Sequence, residues 1–395
     1  MKWEEKSLDE LGFVGRGKSK HRPRDAEFLY GGPHPFIQTG DVKHVDLYVT
    51  SYTQTYSDAG LAQSKLWPKG TLCITIAANI ADTAILGLDA CFPDSVIGFI
   101  ADESKSDVRF IKYKLDTIKR HYQQISQGAA QDNLSLEKLL SFKIKVPRPE
   151  AQRDIADVLS AYDELMENNR RRMGLLEEAA RLLYLEWFVR LRFPGYEHAR
   201  ITNGVPEGWV RNVLADICSD IRETILPEEL EPDTPYIGLE HMPRRSISLT
   251  EWGRAEAVTS SKNRFKTKDI LFGKIRPYFH KVGIAFTDGV TSSDAIVIRP
   301  NSDRFQSFVL LTVSGDKFVA EASQTMREGS KMPRADWKLM KQFPVALPPQ
   351  SLLTTFTETA TAITDQLRNL CFQNQKLRAA RDLLLPRLMS GEIAL

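Results

Sequence analysis

The sequence predicts an α+β protein with a pseudo-two-fold internal repeat. Two globular α/β modules alternate with two long helices that pair as a coiled coil. Three observations predict it. Two stretches of helical periodicity share one pattern at a constant offset: Pro147, Ile155, Asn168, Leu176, Ala179 and Leu183 correspond to Pro348, Phe356, Asn369, Leu377, Ala380 and Leu384. Short matched segments recur in the same order before each helix. The apolar positions of both helices fall on a heptad seam. The chain then reads as a first module over 1–146, a central helical region over 147–203, a second module over 204–346 and a C-terminal helical region over 347–395.

The modules match in four places. Trp3, Leu8 and Leu11 open the first with the spacing of Trp209, Leu214 and Ile217 in the second. The segment 35–42 corresponds to 235–242. Lys69-Gly70-Thr71-Leu72 corresponds to Lys268-Asp269-Ile270-Leu271. Gly128-Ala129-Ala130 and Gly329-Ser330-Lys331 precede the two helices.

In the first helix Ile155, Leu159, Tyr162, Met166, Asn169, Met173, Leu176, Ala180, Leu183 and Trp187 follow alternating steps of four and three residues. The second repeats those steps through Phe356, Ala360, Ile363, Leu367, Leu370, Asn374, Leu377, Arg381, Leu384 and Leu388. One apolar stripe on each, with charge between, predicts that the helices pack on each other. Ile155, Leu159, Met173 and Leu176 are expected inside. The connection between the helices is long enough for parallel or antiparallel pairing. Asn169 and Asn374 either fix register as buried polar groups or border a water-filled gap. Arg381 is the other exception and is expected where the packing opens. A helix over 155–187 spans about 50 Å, roughly one and a half turns of B-DNA at about 34 Å per turn.

Composition narrows the class. The 395 residues suffice for two cores, and 42% hydrophobic with 26% charged residues is ordinary for a soluble globular protein. No apolar run approaches a membrane span, and the N-terminus does not read as a signal peptide. Cys73, Cys91, Cys218 and Cys371 are scattered, which reads as reduced, buried thiols in a cytoplasmic protein. A net charge of +2 requires that any nucleic-acid contact rest on local clusters.

Gly12-Phe13-Val14-Gly15-Arg16-Gly17-Lys18-Ser19 fits the phosphate-loop pattern letter for letter. Such a loop needs a buried strand before it and a helix after it. Here 4–11 reads as a short amphipathic helix, and Lys20-His21-Arg22-Pro23-Arg24 is polar and broken by proline. The nucleotide-binding reading is therefore set aside. Five cations and no acid between Arg16 and Arg24 instead mark a DNA-contacting loop, with Arg16, Lys18, Ser19, Lys20, His21, Arg22 and Arg24 as candidates. A solvated loop is the plain alternative. In the second module Lys274, Arg276, Tyr278 and Lys281, Arg244 and Arg245, and Arg327, Lys331 and Arg334 form the corresponding set. Strand alternation is expected to put Lys274, Arg276 and Lys281 on one side. Tyr278 and Phe279 read equally as core or contact.

Metal-ligand spacing, nucleophile-elbow, dinucleotide and adenine-methyltransferase motifs are missing from the sequence. Two reading modules without catalytic equipment point to a recognition subunit. A coiled-coil scaffold whose modules bind protein is the alternative.

The residues resemble the specificity subunit of Type I restriction-modification enzymes over essentially the whole chain. The resemblance rests on 146–156, on Leu347-Pro348-Pro349-Gln350, on the helix endings 175–188 and 380–393, and on 35–42. Ser351-Leu352-Leu353-Thr354 departs from the acidic, glutamine-bearing start of the first helix. The resemblance implies that each globular module is a target-recognition domain reading one half of an interrupted site in double-stranded DNA. It implies paired helices that set the gap and dock two methyltransferase subunits, with two restriction subunits joining. This chain would bind no cofactor and contribute no catalytic residue. S-adenosylmethionine would belong to the methyltransferase, ATP and magnesium to the restriction subunit. Arg170, Arg171, Glu178, Trp187 and Phe188 are the docking candidates, with Trp187 read first as a core anchor and second as a contact.

Overall fold

The computed structural model describes residues 2–19, 23, 26–43, 45–76, 81–126, 135–326 and 332–395. They form two compact units. One comprises Met1–Asn168 and Asn374–Leu395, the other Asn169–Gln373. Each unit takes in part of both long helices, so the packing divides the chain differently from the four sequence segments.

In the first unit Glu4–Lys6 pairs antiparallel with Ile144–Val146. The 4–11 segment is thus a strand followed by one helical turn, Leu8–Leu11, rather than the helix expected. The strand gains backbone partners just ahead of the long helix, and Ser7 starts the turn by donating its N–H to Glu10 Oε2 at 2.7 Å. A five-stranded sheet runs in the order Gly12–Arg16, Val96–Ala101, Leu72–Thr75, Thr83–Leu86, Tyr48–Val49, with only the last pair parallel. A four-stranded sheet follows the order Gln54–Tyr56, Tyr30–Phe36, Ala90–Cys91, Leu66–Trp67.

The second unit repeats the strand pair and the larger sheet, while its smaller sheet has a fifth strand and runs Thr224–Ile225, Lys262–Phe265, Gly289–Thr291, Pro235–Ile237, Gly253–Arg254. Val210–Val213 pairs with Pro344–Leu347. A five-stranded sheet runs Cys218–Ile221, Ala295–Pro300, Ile270–Gly273, Val282–Ala285, Ser248–Leu249, again with only the last pair parallel. In the remaining sheets, Phe36 pairs parallel with Cys91 in the first unit and Tyr236 pairs parallel with Val290 in the second. Leu8 and Leu11, and Leu214 and Ile217, are buried, as their shared spacing requires.

One sequence correspondence slips by a residue. Gly70 and Lys268 both take a positive φ, +87° and +75°. Their N–H groups donate to the carbonyls of Leu86 and Ala285 at 2.8 and 2.9 Å. The structural equivalent of Gly70 is therefore Lys268, not Asp269. Residue type misleads here because a lysine occupies a left-handed turn position that glycine fills without cost.

The first long helix, Pro149–Tyr184, ends in a wider π turn at Leu185–Val189. The second is Gln350–Ser390. They run antiparallel. In the first unit Asp163 meets Arg381, and Asn374 Nδ2 donates to the Met166 carbonyl at 3.3 Å. As residue numbers rise on one helix they fall on the other. In the second unit Phe356, near the start of the second helix, packs against Trp187 and Phe188 at the end of the first, with ring centroids 5.7 and 4.6 Å apart. Ile155, Leu159 and Met173 are buried and Leu176 packs against the core, as expected of a seam. Arg381 does not mark an opening: its side chain is 14% exposed and paired.

The two helices are fastened differently at their starts. Gln152 is fully buried. Its amide donates to the carbonyls of Pro147 and Lys105 at 2.9 and 3.1 Å, and its oxygen accepts from Asp107 N–H at 3.1 Å. The departure noted at 351–354 puts Leu353 at the matching position. Leu353 is buried in the second unit's apolar core, so packing stands where the first helix uses hydrogen bonds.

Candidate nucleic-acid interface

In the first unit the phosphate-loop letters lie on an edge strand. Gly12–Arg16 pairs antiparallel with Val96–Ala101. The N–H of Gly17 donates to the Val96 carbonyl at 2.9 Å, and that of Lys18 to the Phe92 carbonyl at 3.1 Å. Backbone donors that a phosphate would need are spent within the fold. The glycines serve close packing instead: a Cβ would lie 2.2 Å from the Ile100 carbonyl oxygen at Gly12 and 2.2 Å from that of Pro93 at Gly17.

Two cations stand at the end of this strand. Arg16 is exposed and donates from Nε to the Asp94 carbonyl at 2.5 Å. Lys18 is exposed, and its carbonyl accepts from Ser64 Oγ at 2.6 Å. Ser19 is half-buried. Lys20, His21, Arg22 and Arg24 lie outside the described residues. Next to Ser64, which bonds the Lys18 carbonyl, stands a group the sequence reading missed. Lys65 Nζ lies 3.7 Å from the ring centroid of buried Trp67 and 4.7 Å from that of Phe13, a cation over two aromatic faces. Phe13 is 54% exposed. The alternating Lys65-Leu66-Trp67 was the available signal.

In the second unit the segment 274–281 is not an alternating strand. It leaves Ile270–Gly273, passes through a single 3-10 turn at Pro277–Phe279 and re-enters at Val282–Ala285. Arg276 and His280 flank the turn at φ +48° and +53°. Proline and two left-handed residues break the alternation. The expectation of one shared side fails most clearly for Lys281. Its ammonium turns inward to the Leu239 carbonyl at 2.5 Å. Burial and the nearby charge of Arg244 lower its pKa.

The turn exposes Tyr278, whose ring meets that of half-buried Phe279 edge-on at 5.0 Å. Arg244 stacks on Phe279 with its guanidinium carbon 4.1 Å from the ring centroid, and Arg276 lies 5.9 Å from it. Arg245 pairs with Asp316 at 2.9 Å. Arg276 N–H donates to the Pro333 carbonyl at 2.9 Å, and Ile275 bridges to Arg334. Lys274 and Arg334 then line a concavity of about 650 Å³ together with Arg222 and Lys338, which the sequence reading missed. Arg334 is held by Asp294 at 3.2 Å. Arg327 and Lys331 lie outside the described residues.

The docking candidates separate. Trp187 and Phe188 pack into the second unit's core, Phe188 4.9 Å from the Phe308 ring. The anchor reading of Trp187 describes its position. Arg171 and Glu178 are exposed and Arg170 half-buried. Among the described residues no helix is long and apolar enough to cross a membrane.

Two similarly wired modules with cation-bearing loops, each built around portions of the same two antiparallel helices, make a protein of duplicated design. Comparison with known proteins agrees. The family model described as Type I restriction modification DNA specificity domain matches residues 1–178. The chain is 23% identical to the Type I restriction enzyme MjaIX specificity subunit of Methanocaldococcus jannaschii, over 99% of this chain and 93% of that one. It is 28% identical to the EcoDI specificity subunit of Escherichia coli over 36% of this chain and 31% of that one. The fold is similar to the crystal structure of a Type I restriction-modification S subunit from M. genitalium. That match has a TM-score of 0.58 at 15% identity and covers 98% and 96% of the two chains. The chain is thus similar over nearly its whole length to a Type I restriction enzyme specificity subunit, and its first 178 residues match the DNA specificity domain of that family.

Proposed function

We propose that each module reads one half of a bipartite, interrupted site in double-stranded DNA, and that the paired helices set the gap. The observation that carries this reading is one sheet wiring built twice with cations at different places. The first module carries Arg16 and Lys18 at the end of its edge strand and Lys65 over Phe13 of the same strand. The second carries Arg244, Arg276, Lys274 and Arg334 on other loops. Shared scaffolds with different contact residues suit two unlike half-sites, because side-chain placement on the loops determines which bases are read.

The helices also dock two methyltransferase subunits in this reading. Leu175, Leu182 and Val189 are exposed at heptad spacing on one face. Leu182 is 46% exposed, and its repeat equivalent on the second helix, Leu383, is 66% exposed. A matched apolar pair suits two copies of one partner. Glu178 borders the first of these positions. S-adenosylmethionine is then held by the methyltransferase, ATP and magnesium by restriction subunits that join, and the assembly works on cytoplasmic DNA.

The test is co-expression with the methyltransferase gene expected beside this one, followed by mapping of N6-methyladenine across host DNA. A bipartite motif with a fixed gap is expected. Soluble, co-purifying proteins that leave no such motif would overturn the reading.

A further inference from the structure

Glu177, on the first long helix, is 6% exposed, and its carboxylate reaches into the turn that precedes the strand Ser248–Leu249. One oxygen accepts from Ser246 Oγ at 2.7 Å and from Ser248 N–H at 3.1 Å. The other accepts from Ile247 N–H at 3.2 Å. One helical turn on, the guanidinium of Arg181 donates to the Arg245 carbonyl and lies 3.4 Å from the Glu177 carboxylate. The N–H of Arg245 donates in turn to the His280 carbonyl at 2.9 Å. That bond joins the 244–248 turn to the Pro277–Phe279 turn. Arg245 sits at φ +58°, a conformation a non-glycine residue keeps only when its surroundings hold it.

We propose that Glu177 and Arg181 are positioning residues for base reading by the second module. They do not touch DNA. They fix the turn from which Arg244 stacks on Phe279, and through His280 the turn that exposes Tyr278 and Arg276. Charge-assisted bonds to two buried backbone donors hold such a turn more rigidly than packing does. The device belongs to one module only. The repeat positions on the second helix carry Arg378 and Asp382, with the charges reversed. Its loss therefore relaxes one half-site and spares the other. The inference rests on the DNA-reading proposal above.

The test uses the complex with the methyltransferase. Glu177→Gln and Arg181→Met variants are co-expressed and their methylated positions mapped beside the wild type. The expected result is about tenfold more methylation at sites with a wrong base in the second half, the scale of one lost base contact. The first half and the gap stay unchanged, and the complex still co-purifies. If Glu177→Gln is insoluble, the half-buried Arg181 carries the test alone. An unchanged second half overturns the inference. So does equal relaxation of both halves, which would mark a general loss of structure. A wild-type complex without a bipartite motif would instead remove the DNA-reading proposal itself.

Discussion

Arg381 on the second long helix is paired with Asp163 on the first, and the other oxygen of that carboxylate accepts from Tyr113 Oη at 2.5 Å. The Asp163 side chain has no exposed surface. Burial, then the Asp163 charge, push the Tyr113 pKa upward. Burial works against the Arg381 charge, but Asp163 more than offsets it and the pKa is raised. At the repeat positions stand Ala180 and Thr364, so the pair distinguishes one half of the chain from the other. Seam periodicity marked Arg381 as an irregularity and gave no sign of its partner, because Asp163 lies off the heptad.

Removing one member leaves a buried charge without compensation. Arg381→Ala is expected to destabilise the first unit by about 3–5 kcal/mol, measured by urea unfolding. Adding Asp163→Leu and Tyr113→Phe to Arg381→Met should recover most of that loss, since apolar groups of similar size often replace a buried pair at little cost. A triple variant as unstable as Arg381→Ala would count against this account.

Gln152 and Leu353 provide a contrast between the two helix starts. Gln152→Ala strands buried backbone groups and should cost about 1–3 kcal/mol. Leu353→Ala leaves a cavity and should cost about 2–5 kcal/mol. Hydrogen exchange offers the sharper check: the Gln152 variant is expected to raise exchange at the Asp107 amide, which donates to its side chain.

The four cysteines are buried. Burial pushes the thiols of Cys73 and Cys91 up, the latter against a hydrogen bond from Ser64. It pushes Cys218 up to about 12. Folded pKa values above the unfolded value of 9.0 mean that this contribution to stability is complete below pH 9 and is lost as the pH rises toward about 12. Native protein at pH 8 should resist a thiol-specific disulfide reagent that labels all four cysteines in denaturant. Cys218→Ala should flatten the alkaline limb of the stability curve. Fast labelling of native Cys218 would contradict the burial argument.

The proposed docking on the exposed leucines has a direct test. Leu182→Asp and Leu383→Asp should each reduce the methyltransferase recovered by co-purification, while the subunit's own melting temperature changes little, because both side chains already face water. Undiminished recovery from the double variant would place the partner elsewhere.

Much of the organisation is local and was legible along the chain. Heptad steps, the paired Trp-Leu-Leu spacings and the proline-led helix starts are one-dimensional signals, readable because apolar periodicity must match the element that buries it. They were enough to show the internal repeat, the seam residues Ile155, Leu159 and Met173, and the rejection of a phosphate loop.

Partners distant in sequence were decided only by the tertiary structure. Helix direction depended on which residues of the second helix face Asp163 and Met166, and a heptad reads the same both ways. Lys281 and Arg276 are both cations of one short segment, yet two left-handed residues and a proline turn one toward the Leu239 carbonyl and leave the other outside. Lys65 joins Phe13 across strands separated by some fifty residues of chain. Charge and residue type set what a side chain can do. The long-range packing around it decides whether that charge is spent inside the fold or left on the surface.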